Sequence, residues 1–317
     1  MDFMEGILII DKPPGLTSHD VVARARQILQ ERRIGHTGTL DPFATGVLVV
    51  LVGRATRLAQ FLSGVEKEYD AIIRLGYATD TGDRTGNPIP DAKQTQGQTP
   101  AGSWSETEID AALGSLRGDI DQVPPMYSAK KQGGRKLYEL ARRGEEVERS
   151  PVRVCIHEFT ALKPGGQLIK DNLDGTFDFQ VRVVCSSGTY VRTLAEDFGK
   201  RLGIGAHLAE LRRTRVGDLR VSRAITLEQL KTRVSEEALG TVLLPSDAAL
   251  SRMPFVHLTA DEARRARHGM EVRVSGTEWA DGEKIRMCDG DGHLIAIGYF
   301  QASDGSLHAR VVIAPED

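Results

Sequence analysis

Val47 to Val52 is an unbroken apolar run, Val-Leu-Val-Val-Leu-Val, with Gly46 and Gly53 at its ends. The run is too short for a helix of ordinary length, and with no polar alternate neither side of it can face water. It predicts a strand covered on both faces, which a layered fold provides. The neighbouring segments supply the layers. Gly6 to Asp11 reads as a strand stopped by Lys12-Pro13-Pro14-Gly15. Thr17 or Ser18 can cap a helix through Val21, Val22, Ala25 and Ile28. Gly35 to Pro42 reads as a loop, Ala55 to Leu62 as a helix, and Tyr69 to Leu75 alternates like a strand with one buried face.

Further on, Pro90 to Ser105 is polar and reads as an exposed insertion or flexible loop. Val152–Leu162 and Phe177–Cys185 have strand character and turn residues between them, which predicts an antiparallel pair with a decorated connection. Thr189–Leu202 is an amphipathic helix stopped by Gly203, and a short helix follows Thr226. Leu244 to Pro254 reads as a linker. Beyond it, Glu271–Val274, Lys284–Met287, Leu294–Phe300 and Leu307–Ile313 are short β runs of a separate small β-rich domain. The fold class is α+β, and no internal repeat is visible.

The 317 residues allow about two domains and an ample core. Cys155, Cys185 and Cys288 are scattered, without metal or disulfide spacing. No run approaches the roughly 18 apolar residues of a membrane helix, and the N-terminus lacks a signal-type core; a cytoplasmic protein is expected. Net charge is −3, but it is unevenly spread. Residues 198–223 hold seven cations against two acids, 128–149 seven against four, and 80–121 three against eight. Such segregation fits one basic face, or simply solvated helix surfaces.

Phosphate-loop, zincin, nucleophile-elbow and dinucleotide fingerprints are absent, and the eight histidines are dispersed. The informative segment is Gly35-His36-Thr37-Gly38-Thr39-Leu40-Asp41-Pro42. Its glycines allow close backbone approach to a ligand, and the proline biases Asp41 toward an extended backbone. A carboxylate held there is a candidate nucleophile or base; equally, it can close an Asx-type turn.

The wording of that segment, GHTGTLDPFATGVLVV, closely resembles the signature of the TruB family of tRNA pseudouridine synthases. Further blocks match in order: Lys12-Pro13; Glu66 to Tyr69 with Leu75-Gly76 and Thr79-Asp80-Thr81; Ser187 to Leu194; Gly205 to Leu208 with Leu211 to Thr214. Tyr127 to Lys131 through Leu137 to Arg142 resembles the family's RNA-clasping insertion. The end of the chain, with Leu294-Ile295-Ala296-Ile297-Gly298, resembles a PUA domain, a generic β accessory domain being the alternative.

The resemblance implies a mixed, largely antiparallel sheet flanked by helices over residues 1–250, with a clasping insertion at about 124–150, and a PUA-like RNA-binding domain over 251–317. It implies that Asp41 is the catalytic aspartate, that Tyr69 stacks on the target base and moves a proton, and that Arg192 pairs with Asp41. Tyr190 and Leu211 would line the uridine pocket, and His36 would fill the gap left by flipped bases. Lys130, Lys131, Arg135, Lys136 and Arg142 would grip RNA phosphates, with Arg212, Arg213 and Arg215 near the pocket wall; His207 reads as structural. The implied activity is isomerisation of uridine 55 in the tRNA T-loop, with no cofactor or metal, by a monomer acting without a membrane or an obligate protein partner. Rival readings are a guide-RNA-dependent relative, a tRNA-folding chaperone, and a glycoside-type hydrolase.

Overall fold

The computed structural model describes residues 4–89, 104–141, 143–145, 147–274 and 278–313, without the side chains of Lys131 and Lys136. The calls on Lys131, Lys136, Arg142 and the polar stretch from Pro90 therefore lie outside the described residues, save that Trp104 is buried and Ser105 caps a helix.

In chain order, β1 (Gly6–Lys12) leads to α1 (Ser18–Leu29), β2 (Ile34–Thr37), β3 (Thr45–Val52), α2 (Ala59–Leu62) and β4 (Lys67–Leu75). Next come α3 (Glu106–Gly114), β5 (Gly118–Gln122), the small hairpin β6 (Lys131–Gln132) and β7 (Arg135–Lys136), and α4 (Leu137–Ala141). They are followed by β8 (Val152–Ala161), β9 (Ile169–Asp171), β10 (Phe177–Cys185), α5 (Val191–Arg201), β11 (Ala206–Val216), β12 (Leu219–Arg220) and α6 (Leu227–Ser235). The last part holds β13 (Phe255–His257), α7 (Ala260–Arg267), β14 (Val272–Arg273), β15 (Lys284–Cys288), β16 (Leu294–Gln301) and β17 (Ser306–Val312).

Among the described residues the main sheet runs β1-β3-β11-β4-β10-β8-β5, with β2 on β3, β9 on β10 and β12 on β11. It is antiparallel except where β11 lies parallel to β3, Arg213 opposite Gly46. The expected mixed, largely antiparallel sheet is thus what forms. A second sheet, β13-β15-β16-β17-β14, occupies the C-terminal part.

β3 lacks alternation because both its faces are covered. Val47, Val49 and Leu51 pack with Ile7, Ile9, Leu58 and Phe61, while Leu48, Val50 and Val52 meet α1 and α6 through Val21, Val22, Leu29 and Leu230. Each such side chain gains roughly 1.5–3 kcal/mol on burial. β4 alternates as its sequence does, with Lys67, Tyr69, Ala71, Ile73 and Leu75 on the buried face. α5 covers that side of the sheet through Leu194 and Phe198.

Four local expectations are revised. Gly35 to Thr37 is strand β2, paired to β3, because its backbone extends along an open sheet edge. Ala55 to Leu62 is a 3-10 segment from Gly53 to Leu58 followed by the single turn α2. Leu244 is no free linker: its main chain bonds reciprocally to Ile7. Lastly, the C-terminal part holds helix α7, whose apolar stripe is only Ala263 and Ala266, and its sheet shares a core with the main body. Cys288, Leu294, Ile297, Val311 and Ile313 cluster with Ile7, Leu58 and Phe61, and Arg286 Nη1 meets Asp247 at 3.1 Å.

Candidate active site

The site forms where the β2–β3 connection faces the first turn of α5. The main chain on both sides of Asp41 is pinned. Ser18 Oγ accepts from Leu40 N–H, and the buried Lys12 ammonium donates to the carbonyls of Pro13, Leu16 and Pro42. Gly38 stands at φ +66°, and its carbonyl accepts from Arg213 Nη2 at 2.8 Å. The conformation favours Gly, and a Cβ there, 3.2 Å from Lys67 Cε, would make that side chain give by a few tenths of an ångström.

Asp41 meets Arg192 twice, Nε to Oδ2 at 2.9 Å and Nη2 to Oδ1 at 3.4 Å. The guanidinium is otherwise spent on the protein: Nη1 donates to Thr81 O and Nη2 to Tyr127 O, both at 2.7 Å. Arg192 is 5% exposed while Asp41 is 35% exposed, so the arginine holds the carboxylate and the carboxylate faces the cavity. Burial pushes the Asp41 pKa above the ordinary carboxylate value; Arg192 pulls it down and Asp83 pushes it up. Asp83 lies 4.0 Å from Arg192 Nε and is itself held by Thr81 Oγ1 and by the N–H and hydroxyl of Thr85. Arg192 is carried on the first turn of α5, where Gln122 clasps both the N–H and the carbonyl of Tyr190.

Two cavities meet at this pair. The smaller, about 270 Å³, is lined by Asp41, Arg192, Tyr69, Tyr190, Leu211, Lys67 and Arg213. The larger, about 640 Å³, includes Asp41, Arg192, His19, Asp83, Tyr127 and Tyr138. Both include Thr39, Leu40, Ser128 and Ala129. Five residues singled out from the sequence thus converge on one space: Asp41, Tyr69, Arg192, Tyr190 and Leu211. Tyr69 is buried, and burial pushes its phenol pKa up, opposed by the Arg213 guanidinium.

His36 stands on β2 and lines neither cavity; its ring is edge-on, at 5.3 Å, to that of His19, which lines the larger one. Burial lowers its pKa to about 4, so it is neutral at physiological pH. Lys130 and Arg135 are exposed on the hairpin arm that follows Tyr127. The basic run near residue 212 is largely neutralised, unlike the pocket-wall expectation: Arg212 pairs with Asp11, and Arg215 with Glu66 and Glu68. Arg213 does reach the pocket. His207 is buried against the Tyr77 carbonyl.

Lys12, Lys67 and Asp83 were given no role from sequence. For Lys67 a signal existed, since it falls on the buried phase of β4 set by Tyr69, Ala71, Ile73 and Leu75. Among the described residues, triplets that could hold a cation lie in the C-terminal part, Glu271/Asp304/His308 and Asp289/Asp291/His293, not at the Asp41 cavity. No described helix is long and apolar enough to cross a membrane.

Comparison with known proteins extends this picture. Residues 26–191 match the model of the TruB family pseudouridylate synthase N-terminal domain, and 192–251 that of the tRNA pseudouridylate synthase B C-terminal domain. A tRNA pseudouridine synthase B from Thermobifida fusca is 44% identical over 98% of this chain and 99% of its own. Another from Geobacillus thermodenitrificans is 44% identical over 86% of both chains. A chain in the crystal structure of a Cbf5-Nop10-Gar1 complex superposes with a TM-score of 0.75 at 27% identity, covering 98% of this chain and 86% of that one. Asp41 and Arg192 lie in the matched segments, as does every residue lining the smaller cavity, and the chain belongs to the TruB family of pseudouridylate synthases.

Proposed function

We propose that this protein isomerises uridine to pseudouridine in tRNA, at position 55 of the T-loop, with Asp41 as the residue that starts the reaction. The observation that carries the reading is the Asp41–Arg192 pair, buried on the arginine side and open on the carboxylate side, at the mouth of a cavity walled by Tyr69, Tyr190 and Leu211. A uridine stacked in a stem-loop cannot reach that cavity, so it must be extruded at a cost of a few kcal/mol. His36, uncharged and one ring behind His19 of the larger cavity, suits the space such a base vacates.

Once the base is seated, the Asp41 carboxylate initiates scission of the C1′–N1 bond, attacking C1′ or taking the 2′ proton. The uracil turns and rejoins through C5. Tyr69 stacks on it, and the phenol, kept protonated by burial, relays the C5 proton rather than resting as a base. Every atom of the product comes from the substrate nucleotide, so the chemistry calls for no group donor and no redox partner. Lys130, Lys131, Arg135, Lys136 and Arg142 grip the stem phosphates, which supplies affinity and salt dependence rather than sequence reading. Residues 251–317 form a PUA-like RNA-binding domain beside a catalytic body of residues 1–250. The protein works as a cytoplasmic monomer.

The test is tritium release from a tRNA transcript labelled at uridine C5, with the protein alone. Wild type should approach one equivalent per tRNA, and Asp41→Asn should release none while keeping its tRNA affinity. Tight binding without release by the wild type would instead favour a guide-dependent or chaperone role, and free uracil a hydrolase.

A further inference from the structure

The smaller cavity contains an electrostatic imbalance that the Asp41–Arg192 pair does not account for. Lys67 and Arg213 both line it and are 7% and 1% exposed. Buried cations are ordinarily paired with carboxylates, yet among the described residues none lies within 4.0 Å of either group; they are held by carbonyls instead. Lys67 Nζ donates to Val65 O at 3.0 Å and to Ser63 O at 3.5 Å, while Arg213 donates to Val47 O and Gly38 O. The strands place them together: Lys67 and Tyr69 share the buried face of β4, and Arg213 on β11 is the register partner of Tyr69. Gly38 lies between the two cations, since a Cβ on it would be 3.2 Å from Lys67 Cε and 3.4 Å from Arg213 Nη1. Each depresses the proton affinity of what is near it, and desolvation and Arg213 together bring Lys67 to about 8.

Two uncompensated positive charges in one cavity, opposite a carboxylate, provide for an anion that is present only part of the time. We infer that Lys67 and Arg213 hold the negative charge of the detached uracil, stabilising the base between its departure from C1′ and its return. The inference rests on the pseudouridine synthase reading. When the C1′–N1 bond breaks, its electron pair leaves on the base, delocalised over N1 and the two carbonyl oxygens. Asp41 meanwhile forms a bond to C1′ or takes the 2′ proton. On rejoining, C5 bonds to C1′, the bond or proton at Asp41 is returned, the C5 proton departs and N1 takes one up. The charge thus exists on either route, and fixed cations in a water-poor site stabilise it more than bulk water would. The same charges permit rotation, because a delocalised anion between two cations is not tied to one hydrogen-bonding orientation.

Lys67 is faced by Arg213 from β11, Cys185 from β10, Tyr69 on its own strand and Asp41 across the cavity. Lys67 has a value of about 8, as has Lys12 beneath the Asp41 loop, so the signature that packing alone lacks is the part of the alkaline fall that Lys67→Arg removes. In single-turnover tritium release, Lys67→Met should lose about 100-fold in rate with its tRNA dissociation constant unchanged. Wild-type rate should fall above pH 8 as Lys67 loses its proton, and Lys67→Arg should fall less over that range, what remains being the share of Lys12. A Lys67→Met rate within threefold of wild type, or an alkaline fall undiminished in Lys67→Arg, overturns the inference. So does a wild-type rate that does not fall above pH 8, which decides the matter should either variant not fold. A wild type that releases no tritium at all defeats the underlying activity instead, before any variant is compared.

Discussion

Arg192 is the residue whose partners are hardest to replace. It spans two carboxylates and two main-chain carbonyls from three separate segments. Its loss would leave Asp83 buried beside no cation, a defect of about 3 kcal/mol or more. The kinetic consequence has a definite sign. On the proposed mechanism Asp41 acts ionised, so activity should fall as pH drops through its pKa, which burial has already raised. Arg192 opposes that rise, and Arg192→Met should move the acid limb of the single-turnover profile upward by about 1–3 pH units. A profile that merely scales down, without moving, would mean that the arginine does not tune the carboxylate. The pairing of Asp41 with Arg192 was readable because both residues lie in distinctive local wording. Asp83 was not, since an aspartate in a Thr- and Gly-rich turn has the same composition whether it faces water or a buried guanidinium. Lys67 was half legible: alternation marks its position as inward, but nothing local tells that a charge is tolerated there.

The decisive contact between elements is the crossing of β3 and β11. Gly46 has φ +98°, and a Cβ on it would lie 2.2 Å from the Arg213 carbonyl oxygen and 2.9 Å from its nitrogen. Backbone atoms cannot swing aside as a side-chain tip can. Gly46→Ala should therefore cost about 3 kcal/mol, lowering the melting temperature by roughly 4–5 °C and displacing Arg213 from the cavity. Calorimetry with a parallel activity assay would check both; an alanine variant of unchanged melting temperature would refute the close approach. Elements with strong periodicity, such as β4 and α1, were legible, the latter down to its cap, where Thr17 rather than Ser18 accepts from Asp20 N. β2 was hidden because its glycine and polar residues look like loop until a neighbouring strand supplies hydrogen bonds. α7 was hidden because its buried face consists of two alanines.

Across the whole molecule, the C-terminal sheet is built into the main body more than its sequence suggests. Arg57 donates to Val312 O at 2.7 Å, and five apolar residues of the last three strands and the residue after them complete a core begun by β1 and β3. The two sheets should melt in one calorimetric transition, and truncation after residue 250 should bare Leu58 and Phe61 and lower the melting temperature of what remains. Two separate transitions would show that the parts are energetically independent. The main sheet carries a further consequence, in time rather than space. β11 sits between β3 and β4, so two strands made early must wait for a third made late. β4 ends at Leu75 and β11 at Val216, 141 residues later, and at a synthesis rate of roughly 5–20 residues per second that is a delay of roughly 7–30 s. Throughout it the emerging chain holds a gap at the middle of its sheet: β2 covers β3 at Val49 to Val52, but the start of β3 and the facing edge of β4 are unpaired. The period when this protein most needs protection from neighbouring nascent chains is therefore set by strand order, and it ends only when residue 216 has left the ribosome.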